Sequence, residues 1–230
     1  MNSQTIDTEK KLEVTRIPLG FVNAFIIRGE NQLILVDTGI PGNENKILHT
    51  IKSLGFKPDQ VSLIILTHAH FDHTGSLKEL IKATHAKVAI HKNDAPFLTT
   101  GTSAAVKPLS TAAKVMTLLV KIMPVRKSEG TLPDILVEDE MSLAEFGVEG
   151  RAISTPGHTG GSISIILDSG KCLVGDLLGA MVGKPGYSAL GDDPNLMRKS
   201  LIKLIESGAR EFYLSHGGVY PVDRIRNIIG

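Results

Sequence analysis

Three histidines and one aspartate lie within six residues of this sequence, in the segment H-A-H-F-D-H at positions 68–73. Imidazole nitrogens and carboxylate oxygens are the protein ligands expected for zinc and related divalent metals. His68 and His70 are two residues apart, so on an extended chain they point to the same side and can bind one ion. Asp72 and His73 follow where the chain turns, and they can face a second ion. The segment therefore predicts two neighbouring metal sites.

Three more residues of the same chemical type occur downstream: His158, Asp176 and His216. Each follows a run of apolar residues that is typical of a strand, and each has a glycine beside it that allows the backbone to turn tightly. Four ligands alone would leave two metal sites underfilled. The downstream residues are therefore predicted to complete the two sites.

With these residues in this order, the chain resembles the metallo-β-lactamase superfamily, whose hallmark is H-x-H-x-D-H followed by a distant His, Asp and His. The family's early aspartate is matched by Asp37, in the segment V-D-T-G at 36–39. The resemblance extends from about residue 12 to residue 218. It implies an αβ/βα four-layer sandwich, in which two mixed β-sheets pack face to face, helices lie outside, and the metals bind in a cleft at one edge.

The resemblance also implies a division of the ligands between the two ions. Three residues would bind the first ion: His68, His70 and His158. Three would bind the second: Asp72, His73 and His216. Asp176 would bridge the ions, and Asp37 would hold one ligand histidine by its other ring nitrogen. From the residues alone, a plain turn residue is an equally good interpretation of Asp37.

Two divalent ions about 3.5–4 Å apart can share a hydroxide, which provides a nucleophile at neutral pH without a serine or cysteine. We expect this bridging hydroxide to attack a small ester, lactone or thioester, with Asp72 orienting it and passing on its proton. Zinc is the expected metal, and iron or manganese stay open. Dinuclear zinc β-lactamases often carry a cysteine where this chain has Asp176, so the resemblance favours the glyoxalase II-like and lactonase-like branch.

Two other functions stay open on the same scaffold: an iron-dependent oxidoreductase of the sulfur dioxygenase type, and a phosphodiesterase. The 25 basic and 24 acidic residues leave a formal net charge of +1. This balance disfavours a nucleic-acid partner. A small-molecule substrate is therefore expected.

The pattern of apolar runs predicts the elements that position these residues. Strands are expected at 12–17, 24–28, 33–37, 61–66, 87–91, 135–137, 150–154, 162–167, 171–174 and, as the last one, 212–215. Helices are expected near 47–54, 75–83 and 194–207. This order predicts an α/β protein, organised as a single domain over residues 1–230.

A helical insertion at about 94–133 interrupts that pattern. It carries an apolar stripe of Val115, Leu118, Leu119 and Ile122, at spacing typical of an amphipathic helix. The stripe could be a face buried on the core, a lid, a pocket wall or a homodimer face. Tyr187, in the 183–191 loop, could reach the substrate. Three further histidines are expected to be structural: His49, His85 and His91.

The single cysteine, Cys172, excludes an intrachain disulfide, and the polar N-terminal segment has no apolar signal core. The longest apolar stretch, 112–125, contains two lysines and is shorter than the roughly 20 residues that cross a bilayer. No transmembrane segment and a cytoplasmic location are therefore expected.

Overall fold

The first half of the chain forms a six-stranded mixed sheet. A computed structural model describes residues 13–109, 111, 113–114, 129–181 and 183–229. The strands of the first sheet are β1 Val14–Pro18, β2 Asn23–Arg28, β3 Leu33–Val36, β4 Val61–Ile65, β5 Lys87–His91 and β7 Ile135–Val137. They lie in the order β1-β2-β3-β4-β5-β7. The first three strands are antiparallel, and β3, β4, β5 and β7 run parallel.

The second half forms a second six-stranded sheet. Its strands are β8 Glu140–Ser142, β9 Gly150–Ser154, β10 Ile163–Leu167, β11 Lys171–Leu173, β15 Glu211–Tyr213 and β16 Val219–Pro221. They lie in the order β16-β15-β11-β10-β9-β8. Only β11 and β15 pair in parallel, so this sheet is also mixed.

Helices and short strand pairs complete the described part of the chain. The helices are α1 Glu44–Ser53, α2 Phe71–Thr74, α3 Leu77–Thr84, α4 Ala95–Thr100, α5 Pro194–Glu206 and α6 Val222–Ile229. Two short pairs lie beside the sheets: β12 Leu178–Met181 with β13 Lys184–Tyr187, and β6 Lys107–Pro108 with β14 Leu190–Gly191. Single 3₁₀ turns occur at Pro58–Gln60, Ala144–Phe146 and Gly175–Leu177.

Three apolar layers hold these elements together. In β2, Phe25 and Ile27 point to the core between the two sheets, whereas Ile26 points to the core beneath the outer helices. This alternation is the period of two that a strand imposes on its side chains. The core outside the second sheet contains Phe212 from β15 and Leu201 from α5. The result is the helix–sheet–sheet–helix sandwich predicted from the sequence.

Three predicted strands match the observed ones to the residue: β5, β7 and β9. The prediction of 212–215 as the last strand is wrong. It is followed by β16, which pairs with β15, and by α6, which buries Ile225 against the second sheet. The predicted amphipathic helix with Val115, Leu118, Leu119 and Ile122 lies outside the described residues.

Within the described residues, none of the helices is long and apolar enough to cross a membrane.

Candidate metal centre

The seven predicted ligand residues meet at one edge of the sandwich. The segment 68–73 follows β4, His158 lies in the loop after β9, Asp176 follows β11, and His216 follows β15. At this edge the Ile163 amide donates a hydrogen bond of 2.9 Å to the Thr67 carbonyl, which joins the two sheets beside the centre. Residues about 150 positions apart in sequence thereby become neighbours.

Three histidines form a first cluster: His68, His70 and His158. The Nδ1 atom of His70 lies 2.9 Å from His68 Nε2 and 3.2 Å from His158 Nε2. Ligand atoms of the three residues and of Asp176 all lie within 4.8 Å of one another. All three side chains are buried, so their nitrogens converge on a small space that water reaches poorly.

Three other residues form a second cluster: Asp72, His73 and His216. His216 Nε2 lies 3.2 Å from Asp72 Oδ2, and His73 Nε2 lies 3.8 Å from the same oxygen. The short helix α2 places Asp72 and His73 here, because it begins directly after His70, whose backbone is still extended. The turn from extended chain to helix separates these two residues from His68 and His70, as the spacing predicted.

Asp176 lies between the two clusters. Its Oδ2 is 3.6 Å from His158 Nε2 in the first cluster. Its Oδ1 is 3.4 Å from His73 Nε2 and 3.4 Å from His216 Nε2 in the second cluster. One carboxylate thus presents an oxygen to each cluster. Gly175 allows the backbone to place Asp176 here. Its φ is +53°, and an added Cβ would lie only 2.8 Å from the side chain of Thr67.

The outward ring nitrogens of three of these histidines donate to backbone carbonyls. His70 Nε2 donates to Ala104 at 3.0 Å, and His158 Nδ1 donates to Leu190 at 2.9 Å. His216 Nδ1 donates to the Phe21 carbonyl at 2.9 Å. Because a neutral imidazole carries one N–H, donation on the outside leaves the inner nitrogen free as an electron-pair donor. This arrangement orients the rings for metal binding.

Asp37 makes the contact that the family resemblance implied for it. Its Oδ2 accepts from His73 Nδ1 at 2.8 Å, and its Oδ1 accepts from the Thr67 amide at 2.8 Å. Asp37 is fully buried and has a φ of 61°, in the left-handed region that few residues other than glycine adopt. The surrounding hydrogen bonds hold it in this strained conformation, which is common at functional sites.

The protonation states differ between the clusters. Burial lowers the pKa of His68 and His70 and lowers that of His158 to about 4. These three imidazoles are neutral near pH 7, the state that metal binding requires. Burial would lower the pKa of His216 as well, but the Asp176 carboxylate outweighs it and raises the pKa to about 10. A metal ion in the second cluster would have to replace that proton.

Two buried atoms at the centre have no hydrogen-bond partner among the residues that the structure describes: His73 Nε2 and Asp176 Oδ1. Buried polar atoms are normally paired, because leaving one unpaired costs about 1–3 kcal/mol. The two atoms lie 3.4 Å from each other. A bound cation would satisfy both, so the donor set fits divalent metal ions.

The other histidines and Tyr187 lie outside both clusters. His49 is exposed on α1, and His85 is exposed at the C-terminal end of α3. His91 is buried at the end of β5, where its Nε2 is 3.3 Å from Ser154 Oγ. Tyr187 packs against the core outside the second sheet. A role for Tyr187 in catalysis stays a prediction.

Asn23 helps to position the loop of His216, a role that the sequence did not indicate. It is 7% exposed, and its Nδ2 atom lies 3.0 Å from the carbonyls of Leu214 and Ser215 and 2.9 Å from that of Gly217. The Asn23 side chain, at the start of β2, therefore holds the loop that carries His216. No local pattern marks such an asparagine, because its partners lie more than 190 residues away.

We expect Asn23→Ala to lower the free energy of unfolding by about 2 kcal/mol, because it removes three hydrogen bonds and takes from the buried Leu214 carbonyl its side-chain donor. Urea denaturation of the metal-free protein measures this change. Asn31→Ala is the matched control, since Asn31 is exposed in the turn between β2 and β3. Equal stability of the two variants would contradict a clamping role for Asn23.

Comparison with known proteins decides the family. The sequence model of the metallo-beta-lactamase superfamily matches residues 17–216, which contain all seven residues of the centre. The chain belongs to the metallo-beta-lactamase superfamily. Membership confirms the sandwich fold and the resemblance seen in the sequence.

Some curated relatives of this chain are named as probable metallo-hydrolases. "Probable metallo-hydrolase MJ0888" of Methanocaldococcus jannaschii is 31% identical over 202 residues, which are 86% of this chain and 88% of that protein. "Probable metallo-hydrolase YflN" of Bacillus subtilis is 31% identical over 146 residues. That match covers 63% of this chain and 54% of the relative, so the chain spans only about half of that protein.

A solved structure shows the same fold at low sequence identity. The B3 metallo-beta-lactamase BLEG-1 superposes with a TM-score of 0.70 and 20% identity, over 93% of this chain and 96% of that one. At this identity the likeness concerns the fold alone.

Proposed function

We propose that this chain is a dinuclear metal-dependent hydrolase of small esters, lactones or thioesters. The observation that carries the proposal is Asp176, which presents one oxygen to each of the two clusters. The first ion would be held by His68, His70 and His158. The second would be held by Asp72, His73 and His216. When bound, divalent ions would polarise a carbonyl oxygen and lower the pKa of a coordinated water toward neutrality.

The donor set supports zinc as the metal. Five imidazoles and two carboxylates suit zinc, iron or manganese better than magnesium or calcium, which prefer oxygen ligands alone. The burial of the first cluster would also exclude the several waters that magnesium tends to retain. Iron and manganese are the alternatives that metal analysis distinguishes.

The exposure of the ligand side chains indicates where substrate would enter. The side chain of His216 is 29% exposed and that of Asp72 is 12% exposed, whereas that of His73 is fully buried. We infer that substrate approaches beside Asp72 and His216. The Asp72 carboxylate would orient the attacking water there and accept its proton, because its side chain is partly exposed beside His216. The two curated relatives named as probable metallo-hydrolases support this reaction class.

Metal analysis is the first test. Protein purified without added metal is expected to contain about two zinc ions per chain, one for each cluster. His49→Ala is the control, because it removes an exposed histidine of α1 without touching either cluster. Protein that cannot be loaded with any divalent ion would overturn the proposal. One tightly bound iron per chain would instead favour the oxidoreductase alternative.

A substrate panel is the second test. It comprises lactones, thioesters, simple esters, the β-lactam nitrocefin and phosphodiesters, each assayed before and after chelation and after zinc is added back. We expect the fastest turnover on a lactone, thioester or ester, its loss after chelation, and its recovery with zinc. Fastest turnover of a phosphodiester would replace this proposal with the phosphodiesterase alternative.

A further inference from the structure

Asp94 is a buried carboxylate that belongs to neither cluster. It is 1% exposed and lies just after β5, at the N-terminal end of α4. Its Oδ2 accepts hydrogen bonds from the Ala69 amide at 2.8 Å and from Thr159 Oγ1 at 3.0 Å. A buried carboxylate is costly unless it is well paired, so its donors indicate why it is tolerated.

The two donors belong to the two loops that carry the first cluster. Ala69 lies between His68 and His70, and Thr159 directly follows His158. A single oxygen of Asp94 therefore links the loop after β4 to the loop after β9. The distance between these loops sets how His158 meets the other two histidines.

The position of Asp94 at a helix end does not explain this use of its carboxylate. An aspartate at the N-terminal end of a helix often accepts from the backbone amides of the first turn. In α4 the side chain of Asp94 makes no such capping hydrogen bond. The carboxylate is directed instead toward the two loops.

The loop after β9 also packs directly on Asp94. A Cβ added to Gly161 would lie 2.3 Å from Asp94 Oδ1 and 2.7 Å from the Asp94 amide nitrogen, closer than real Cβ contacts allow. Asn93 adds a hydrogen bond of 3.0 Å from Nδ2 to the Gly160 carbonyl. Residues 93–94 thus pack closely against the loop that carries His158 and hydrogen-bond to it.

We propose that Asp94 is a positioning residue for the first cluster: it holds the loop of His68 and His70 at a fixed distance from the loop of His158. This role rests on the proposed function, because it concerns how the first of two metal ions is bound. Groups that orient metal ligands from outside typically change metal affinity about 10- to 100-fold when they are replaced.

Metal titration of the metal-free protein against a competing chelator tests the role. For Asp94→Ala we expect one of the two zinc equivalents to bind about 10- to 100-fold more weakly, with the other unchanged. In a His158→Ala background, the same substitution should weaken metal binding no further, because the cluster it serves is already broken. In a His216→Ala background it should add its full effect.

Matched variants separate positioning from plain stabilisation. Gly161→Ala, which must displace Asp94, is expected to weaken the same zinc equivalent, whereas Gly160→Ala has open space around its new Cβ and should leave it unchanged. Thermal unfolding of each variant with and without zinc provides the second readout. Asp94→Ala should reduce the rise in Tm that zinc produces, beyond any loss of Tm in the metal-free form. If Asp94→Ala does not fold, the glycine pair still tests the role.

Two results would overturn it. Wild-type zinc affinity in both Asp94→Ala and Gly161→Ala, with Tm lowered equally in the metal-free and zinc-loaded forms, would show that Asp94 only stabilises the fold. Failure of the wild-type protein to bind two ions would overturn the dinuclear centre itself, and the role of Asp94 with it.

Discussion

Replacing Asp176 with alanine is expected to lower turnover of the best ester, lactone or thioester substrate at least ~100-fold, equivalent to about 2.7 kcal/mol of transition-state stabilisation. The reason is the position of the carboxylate between the two clusters, 3.4 Å from His216 and 3.6 Å from His158. Its removal would leave both clusters without a shared ligand. We also expect the bound zinc to fall from about two ions per chain to one or fewer.

Asp168→Ala is the matched control for this experiment. Asp168 is an exposed aspartate in the turn between β10 and β11, the strand that Asp176 follows. Its removal should change neither zinc content nor turnover. His70→Ala is expected to reduce activity as strongly as Asp176→Ala, because it removes the histidine at the middle of the first cluster. Full activity with two bound zinc ions in either variant would contradict the two-metal proposal.

The second large effect is expected from Asp37→Asn, which should weaken zinc binding about 10- to 100-fold while the fold is kept. Asparagine tolerates the left-handed backbone at this position, and its oxygen can still accept from the Thr67 amide. Its NH₂ group would then face His73 Nδ1, where Asp37 now accepts a hydrogen bond. His73 would then have to accept that hydrogen bond at Nδ1. Its proton would move to Nε2, the atom that faces the metal centre.

Asp37→Ala separates this tautomer effect from stability. It removes both acceptors, so the Thr67 amide and His73 lose a buried partner, and we expect the free energy of unfolding to fall by about 3 kcal/mol. Asp37→Asn should lose much less stability yet retain the defect in zinc affinity. Chelator competition and urea denaturation measure the two quantities. Normal zinc affinity in Asp37→Asn would contradict the proposed tautomer control.

Local patterns in the sequence were sufficient to predict which residues meet in the two clusters and most strands of the two six-stranded sheets. The segment 68–73 is dense in ligand-type side chains, and its spacing alone separates His68 and His70 from Asp72. Strands such as β5 were predicted to the residue because a buried strand needs a continuous or alternating apolar run, which is visible without any partner. The family resemblance then supplied the sandwich in which these strands are arranged.

The C-terminal elements were missed because their signal is not local. The strand β16 has three residues and forms by pairing with β15, and α6 has only one fully buried side chain, Ile225. A three-residue strand carries too few apolar positions to show a period. These elements depend on a sheet edge that exists only after the chain has folded.

The sequence by itself thus determined which residues of the segment 68–73 have ligand-type side chains. The tertiary structure decided how those side chains are oriented relative to one another and to the downstream residues. The hydrogen bonds of Asn23 and Asp94 to the ligand loops span 25 to 194 residues and follow no spacing rule. The carbonyl of Ala104 that orients His70 has no side-chain chemistry to mark it. Ligand type is a property of one residue, but ligand orientation depends on groups that only folding brings together.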